Sequence, residues 1–229
     1  MRVSSIGSGS KGNSTIVEDD DTIILVDCGL SLKETEKRLS IVGIAPSKIN
    51  AILVTHEHSD HIRGVSSLAK KYKIPVMATA GTSKFLRNSS ALNLTCIDTQ
   101  SDFHIENLTV TPVLVPHDAR EPVQFIIRGG LLTFGILTDV GAITEHIIEL
   151  YQCCDGLMIE SNHDEDMLFN WSYPRSLKNR VGGNWGHLNN KQMLYFLKNI
   201  ELEQLQELVI GHISENNNSV LLVEETISE

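Results

Sequence analysis

The chain has 229 residues, 41% of them hydrophobic, enough to bury a sizeable core as a single domain spanning 1–229. No apolar run approaches the roughly 20 residues of a membrane helix, and the residues after Met1 lead into a glycine-rich turn rather than an apolar signal segment, so a cytoplasmic protein with no membrane association is expected. A net charge of −10 argues against nonspecific attraction of the whole surface to nucleic acid while leaving room for a local basic groove. Cys28, Cys96, Cys153 and Cys154 lack C-x-x-C spacing, so neither a disulfide framework nor a zinc ribbon is indicated and reduced, mostly buried thiols are expected.

Strand and helix signals alternate along the chain, giving an α/β class without repeats or low-complexity linkers. Strands are predicted over 2–6, 14–18 and 22–27, the last two joined by the acidic turn at 19–21, and a helix follows over 32–41. Residues 51–55 form a short β-branched run suited to burial on both faces. Asp60 is placed to cap a helix running to about residue 72, with Ile62, Val65, Leu68 and Ala69 at helical spacing. Further strands are predicted over 75–78, 108–115, 124–128, 131–137, 156–159 and 205–210, and a helix from 190 to about 200.

Between the predicted 51–55 strand and its helix lies His56-Glu57-His58-Ser59-Asp60-His61, four strong metal ligands in one tight turn. His56 and His58 can reach one ion from the loop, and Asp60 and His61 a second from the helix start. His117, Asp139 and His212 each follow a predicted strand, and strand ends can gather distant residues at one edge of a sheet. His117 would complete the first set, Asp139 bridge both ions, and His212 complete the second. A donor set of His and Asp alone suits zinc, manganese or iron, and two divalent ions, zinc or manganese, are expected.

The ordered pattern His56, His58, Asp60, His61, His117, Asp139, His212 resembles that of the metallo-β-lactamase superfamily, over nearly the whole chain. Several segments are similar, more narrowly, to the YycJ/WalJ group of bacterial metallohydrolases. These are 7–13 (GSGSKGN), 25–30 (LVDCGL), 55–61, 116–118, 121–122, 138–141 (TDVG), 160–164 (ESNHD), 186–188 (GHL) and 212–217 (HISENN). The resemblance implies an αββα sandwich with metals at one edge, and a phosphodiesterase acting as a 5′-to-3′ exonuclease on DNA. The group usually continues Gly-His-Leu with serine, where this chain has Asn189, which can still donate and accept a phosphate hydrogen bond.

On this reading two metals share a hydroxide for in-line attack on phosphate, oriented by Asp60. His187, just before a predicted helix whose amino end favours an anion, is the candidate for contacting phosphate or protonating the leaving oxygen. Tyr173, Arg175, Lys178 and Arg180 form a candidate phosphate groove. Trp171 and Trp185 are expected to pack, Asn13 to serve turn chemistry, His163 to support the ligands from behind, and His104 and His146 to be ordinary surface or helix residues. Hydrolysis of RNA, a small phosphodiester or a thioester stays open as an alternative, as does a noncatalytic metal-stabilised binding module.

Overall fold

The computed structural model describes residues 1–86 and 92–228. They divide into two compact units: residues 1–114 with 119–123 and 127–131, and residues 115–118 and 124–126 with 132–229. No helix among the described residues is long and apolar enough to cross a membrane.

The first unit opens with β1 (Arg2–Gly7), β2 (Ser14–Asp19) and β3 (Thr22–Val26), then helix α1 (Leu32–Ile41) and β4 (Ala51–Val54). After α2 (Ser59–Ile62) and α3 (Val65–Tyr72) come β5 (Val76–Ala78), α4 (Ala80–Leu86), β6 (Leu94–Cys96), β7 (Phe103–Ile105) and β8 (Leu108–Leu114). Strands β1 to β6 form a six-stranded sheet in chain order, antiparallel across β1–β2–β3 and parallel across β3–β4–β5–β6. Every residue of β3 and β4 is buried, as their unbroken β-branched and aliphatic sequences require of strands covered on both faces. Leu25, Ile52, Val54, Leu68 and Val76 belong to one continuous apolar core.

Strand β9 (Val123–Gly129) is divided between the two units. The second unit continues with β10 (Leu132–Leu137), α5 (Glu145–Leu150), β11 (Gly156–Glu160), α6 (Glu165–Asn170), α7 (Arg175–Val181), α8 (Asn190–Leu197), β12 (Glu207–Gly211) and α9 (Val220–Ile227). The second sheet runs in the order β12-β11-β10-β9-β8-β7, with β10, β11 and β12 mutually parallel. Tyr151 anchors this unit's core: its ring meets Phe196 edge-on at 6.0 Å and its hydroxyl donates to the Ile136 carbonyl. Gly135 makes room for that ring, since a Cβ there would lie 2.7 Å from it.

Most strand predictions hold to within a residue or two, while β6 and β7, three residues each, carry too short a pattern to be read. The helix predicted over 60–72 is broken. Its first turn, α2, starts at Ser59 with His58 at the cap position, and Asp60 lies inside that turn rather than capping it. The break comes at Gly64, whose N–H leaves the helical ladder to donate to the Cys28 carbonyl at 2.7 Å. A Cβ at Gly64 would stand 2.3 Å from the Leu30 carbonyl oxygen and 2.7 Å from the Cys28 sulfur. None of the cysteines forms a disulfide; Cys28 and Cys154 are buried, but Cys96 and Cys153 are exposed, so the thiols are not mostly buried.

This close approach makes Gly64 a test of the fold around the ligand turn. Gly64→Ala is expected to lower stability by about 1–3 kcal/mol through forced displacement of the 28–30 loop. Urea unfolding measures it, and an unchanged midpoint would show that the contact is not tight.

Candidate metal centre

In the first unit the ligand turn is clamped by backbone. Asn13 N donates to the Asp60 carbonyl at 2.8 Å, Cys28 N to the His61 carbonyl at 2.9 Å, and Gly29 N to the Asn13 carbonyl at 2.9 Å. Gly29 lies so close to the turn that a Cβ would fall 1.6 Å from the Asp60 carbonyl oxygen, which only glycine permits. The 7–13 loop, the 27–30 loop and the hexad therefore form one interlocked body.

Side chains complete the arrangement. His61 Nδ1 donates to Asp27 Oδ2 at 2.7 Å, while the same carboxylate accepts from the Thr55 hydroxyl at 2.7 Å and the Thr55 N–H at 2.9 Å. An anionic acceptor fixes the imidazole proton on Nδ1 and puts the lone pair on Nε2, the nitrogen that can bind a metal. Asn13 extends its amide nitrogen to His61 Nε2 at 2.9 Å and Asp60 Oδ2 at 3.2 Å, while its Oδ1 accepts from Gly9 N at 2.7 Å. Turn chemistry is thus only half of its role: Asn13 also touches two ligand candidates. His56 Nε2 and His58 Nδ1 approach to 3.0 Å with their rings edge-on, the spacing of two nitrogens converging on one point.

In the second unit the organising group is Glu160, the last residue of β11 and fully buried. Its Oε1 accepts from Val140 N at 2.8 Å and Leu188 N at 3.0 Å, and its Oε2 from His212 Nδ1 at 2.9 Å and His187 Nδ1 at 3.1 Å. Burial alone would raise this carboxyl, but the adjacent His187 and His212 outweigh it and bring it down to about 2. Burial would likewise lower His187, yet the charge and hydrogen bond of Glu160, with help from Asp139 and Asp118, push it up to about 9. His117 is lowered by burial, partly offset by Asp139, and its Nδ1 donates to the Gly186 carbonyl at 2.9 Å.

Asp139, His187 and His212 each offer a ligand atom within 4.8 Å of the others', close enough to hold an ion. His117 Nε2 lies 4.0 Å from Asp139 Oδ1. The donor chemistry fits a divalent metal: His61, His117 and His212 all commit Nδ1 to a buried acceptor, so that Nε2 is the nitrogen each could offer an ion. Asp27, Asp139 and His212 adopt left-handed backbone at φ of 61°, 56° and 53°. Non-glycine residues rarely adopt that conformation outside turns, so these three strand exits are held there by their surroundings.

The remaining candidates take other places. Asn189 caps α8: its Oδ1 accepts from Gln192 N at 2.8 Å, its own N–H donates to Gln192 Oε1 at 2.9 Å, and its Nδ2 donates to Glu165 at 3.0 Å. Its side chain is thereby engaged within the fold, and Glu160 rather than the α8 amino end holds His187. His163 is buried against α8, its carbonyl accepting from Asn190 N at 3.0 Å, but its ring Nδ1 finds no hydrogen-bond partner among the described residues and burial depresses the imidazole to about 4. Arg180 pairs with Asp118 at 2.5 Å, Lys178 Nζ donates to the Phe169 carbonyl at 2.5 Å, and the Tyr173 hydroxyl accepts from Asn216 at 3.1 Å. Arg175 sits exposed at the start of α7. Trp171 and Trp185 do not pack into a core: both are exposed, because their loops project them outward.

Asp27 and Glu160 fall within the family-like segments 25–30 and 160–164, but neither is assigned a role from sequence alone. Each ends a fully buried apolar run, Ile23-Ile24-Leu25-Val26 and Leu157-Met158-Ile159, and a charge at such a place must have buried partners. That signal could have marked both.

Residues 22–213 match the family described as Beta-lactamase superfamily domain. The chain is 34% identical over 227 residues to the exodeoxyribonuclease WalJ of Streptococcus pneumoniae serotype 2 strain D39, covering 95% of this chain and 83% of that protein. It is 29% identical over 238 residues to the exodeoxyribonuclease YycJ of Bacillus anthracis, covering 100% and 88% respectively. Among solved structures, zinc-bound PqqB from Methylobacterium extorquens superposes with a TM-score of 0.77 at 18% identity, over 99% of this chain and 96% of that one. With that fold, this family match and these near-full-length relatives, the chain belongs to the metallo-β-lactamase superfamily and is a metal-dependent hydrolase of the WalJ/YycJ kind.

Proposed function

We propose that residues 1–229 act together as one cytoplasmic dinuclear phosphodiesterase, a 5′-to-3′ DNA exonuclease. Its metal ligands would be His56, His58, Asp60, His61, His117, Asp139 and His212. The observation that carries the metal assignment is the shared orientation of three imidazoles, each with Nδ1 tied to a buried acceptor and Nε2 turned to coordinate. The DNA assignment is supported by the two relatives named as exodeoxyribonucleases.

Two bound divalent ions, zinc or manganese, would supply a nucleophile at neutral pH and offset charge on the transferring phosphoryl oxygens. Asp60, with Oδ2 held by the Asn13 amide, has a fixed orientation from which to align the attacking oxygen. His187, with Nδ1 held by Glu160, would present Nε2 to protonate the departing oxygen. Arg175, Lys178, Arg180 and Tyr173 are proposed to receive the DNA backbone.

Metal-reconstituted protein and its Asp60→Ala variant, incubated with end-labelled DNA, RNA, a chromogenic phosphodiester and a thioester, test this reading. Release of mononucleotides from one DNA end, lost in the variant, is the expected result. Turnover of the thioester alone would refute phosphoryl transfer, and inactivity on everything with two ions bound would point to a binding module. His187→Ala is expected to lower kcat on DNA by about 10²–10⁴-fold, and a single-turnover rate near wild type would remove it from the chemistry. Glu160→Gln and Asp27→Asn should each weaken metal binding by about 10–100-fold, because the amide no longer anchors the imidazole as an anion does. Chelator competition reads that loss directly, and wild-type affinity in both variants would deny these carboxylates a positioning role.

A further inference from the structure

Residues 61–97 hold six basic residues, Arg63, Lys70, Lys71, Lys73, Lys84 and Arg87, and no carboxylate, in a protein of net charge −10. Part of this excess has a local explanation. Lys70 and Lys71 lie in the last turn of α3, where the negative end of the helix favours them, and Lys71 pairs with Glu36 at 2.7 Å. Helix α4 has a different neighbour. It packs on residues 120–121 so closely that a Cβ on Gly81 would fall 2.6 Å from the Glu121 Cβ and 3.2 Å from that of Arg120.

Arg120 is the cation that this packing singles out. Its N–H donates at 2.8 Å to Oε1 of Glu57, the residue between the ligand candidates His56 and His58, and Oε2 of Glu57 accepts from the Thr82 hydroxyl of α4 at 3.4 Å. One carboxylate therefore joins the ligand turn, α4 and the backbone of Arg120. The other acidic neighbour, Glu121, directs its Oε2 to Gly81 N at 2.6 Å, and its carbonyl accepts from the Thr79 hydroxyl at 2.8 Å. Both carboxylates are thus turned to donors of the fold, and among the described residues none pairs with the Arg120 guanidinium. That group lies instead over the Phe85 ring, 5.7 Å from its centre, and the ring is itself 46% exposed. A guanidinium laid on an aromatic face is oriented without an anion and keeps its fork of N–H donors for one from outside the fold.

We propose that Arg120, seated on Phe85, grips a DNA backbone phosphate next to the one being cleaved and so positions the strand against the ligand turn. The proposal rests on the nuclease reading of the metal centre and adds a substrate contact from the first unit. A phosphodiester offers two non-bridging oxygens, which the fork can meet with two parallel N–H bonds, and such a group is present at every step whatever the base. Glu57 is a positioning residue here: its bond to Arg120 N fixes where that side chain starts relative to His56 and His58. Lys84, exposed beside Phe85 in the sequence, adds positive potential for the same polyanion.

Binding of fluorescent phosphorothioate DNA to metal-loaded protein, followed across a range of salt concentrations, tests the contact. Arg120→Gln should weaken binding about tenfold at low salt, and reduce the slope of log affinity against log salt by about one. It should raise KM for end-labelled DNA far more than it lowers kcat. Arg120→Lys should restore the slope but only part of the affinity, since an ammonium keeps the charge and loses the fork; an unfolded protein would not show that split. A series of DNAs, each with one phosphate replaced by a neutral methylphosphonate, locates the partner. At one position near the cleaved end the replacement should penalise wild type and leave Arg120→Gln indifferent. Wild-type affinity and slope in Arg120→Gln, or equal penalties for both proteins at every position, would overturn the proposal. Failure of the underlying reading looks different: a wild-type enzyme that hydrolyses a small phosphodiester but leaves every DNA intact is not a DNA nuclease, and no Arg120 variant is needed to see it.

Discussion

The buried carboxylate of Glu160 is the interaction on which the placement of the second unit's histidines depends. One oxygen takes two backbone N–H groups, from Val140 after β10 and Leu188 before α8, and the other takes the Nδ1 protons of His187 and His212. An ionised carboxylate without access to water would cost several kcal/mol, and these four donors offset that cost by using most of its lone-pair capacity. The same bonds join three strand exits and the 186–188 loop to one point. Loss of any donor would leave charge stranded in the interior, so the network is stable as a set, and it fixes the aim of two imidazoles as a by-product of satisfying itself.

Asp27 repeats this logic in the first unit with different surroundings. Its carboxylate takes the Thr55 N–H, the Thr55 hydroxyl and His61 Nδ1, so the residue before the ligand hexad and the last residue within it share one acceptor. Backbone does the rest, since Asn13, Cys28 and Gly64 tie the glycine-rich loop and the 27–30 loop to both sides of α2. A four-residue helix cannot hold its own geometry in isolation. Here it does so because neighbouring loops supply the hydrogen bonds that a longer helix would supply itself, and the helical pattern through residue 72 is interrupted at Gly64 for that reason.

How much of this can be read from the chain depends on whether a feature is local. The hexad 56–61 is legible because its four candidate ligands fall within six residues, and β3 and β4 are legible because burial on both faces demands an unbroken apolar run. His117, Asp139 and His212 gain meaning only from their order behind strands. Glu160 and Asp27 are single carboxylates whose partners lie up to 52 residues away in sequence, so no spacing rule can reveal them; what marks them is the physical anomaly of a charge closing a buried strand. The two tryptophans mislead for the opposite reason. Large rings normally enter cores, and nothing local announces that residues 171 and 185 project outward.

The contrast between rigid ligand positions and a projecting rim follows from where the chain is allowed to be strained. Asp27, Asp139 and His212 sit at left-handed φ at or just beyond the ends of β3, β10 and β12. Each such residue costs on the order of 1–3 kcal/mol, so it persists only where buried hydrogen bonds and packing over-determine it, as Glu160 does for His212 and Thr55 does for Asp27. A sharp left-handed turn at a strand end lets the chain leave the sheet at once while its side chain still faces back along the edge, which a gradual loop could not do without moving the ligand. Residues 167–190 are under no such demand. Besides the Glu160 contacts of His187 and Leu188 and the Gly186 carbonyl that holds His117, they are tied by local bonds such as the Asn189 cap of α8 and the Arg180–Asp118 pair. Asp139 and His212 thus take their left-handed backbone at strand exits, while residues 167–190 carry their exposed rings without any left-handed residue.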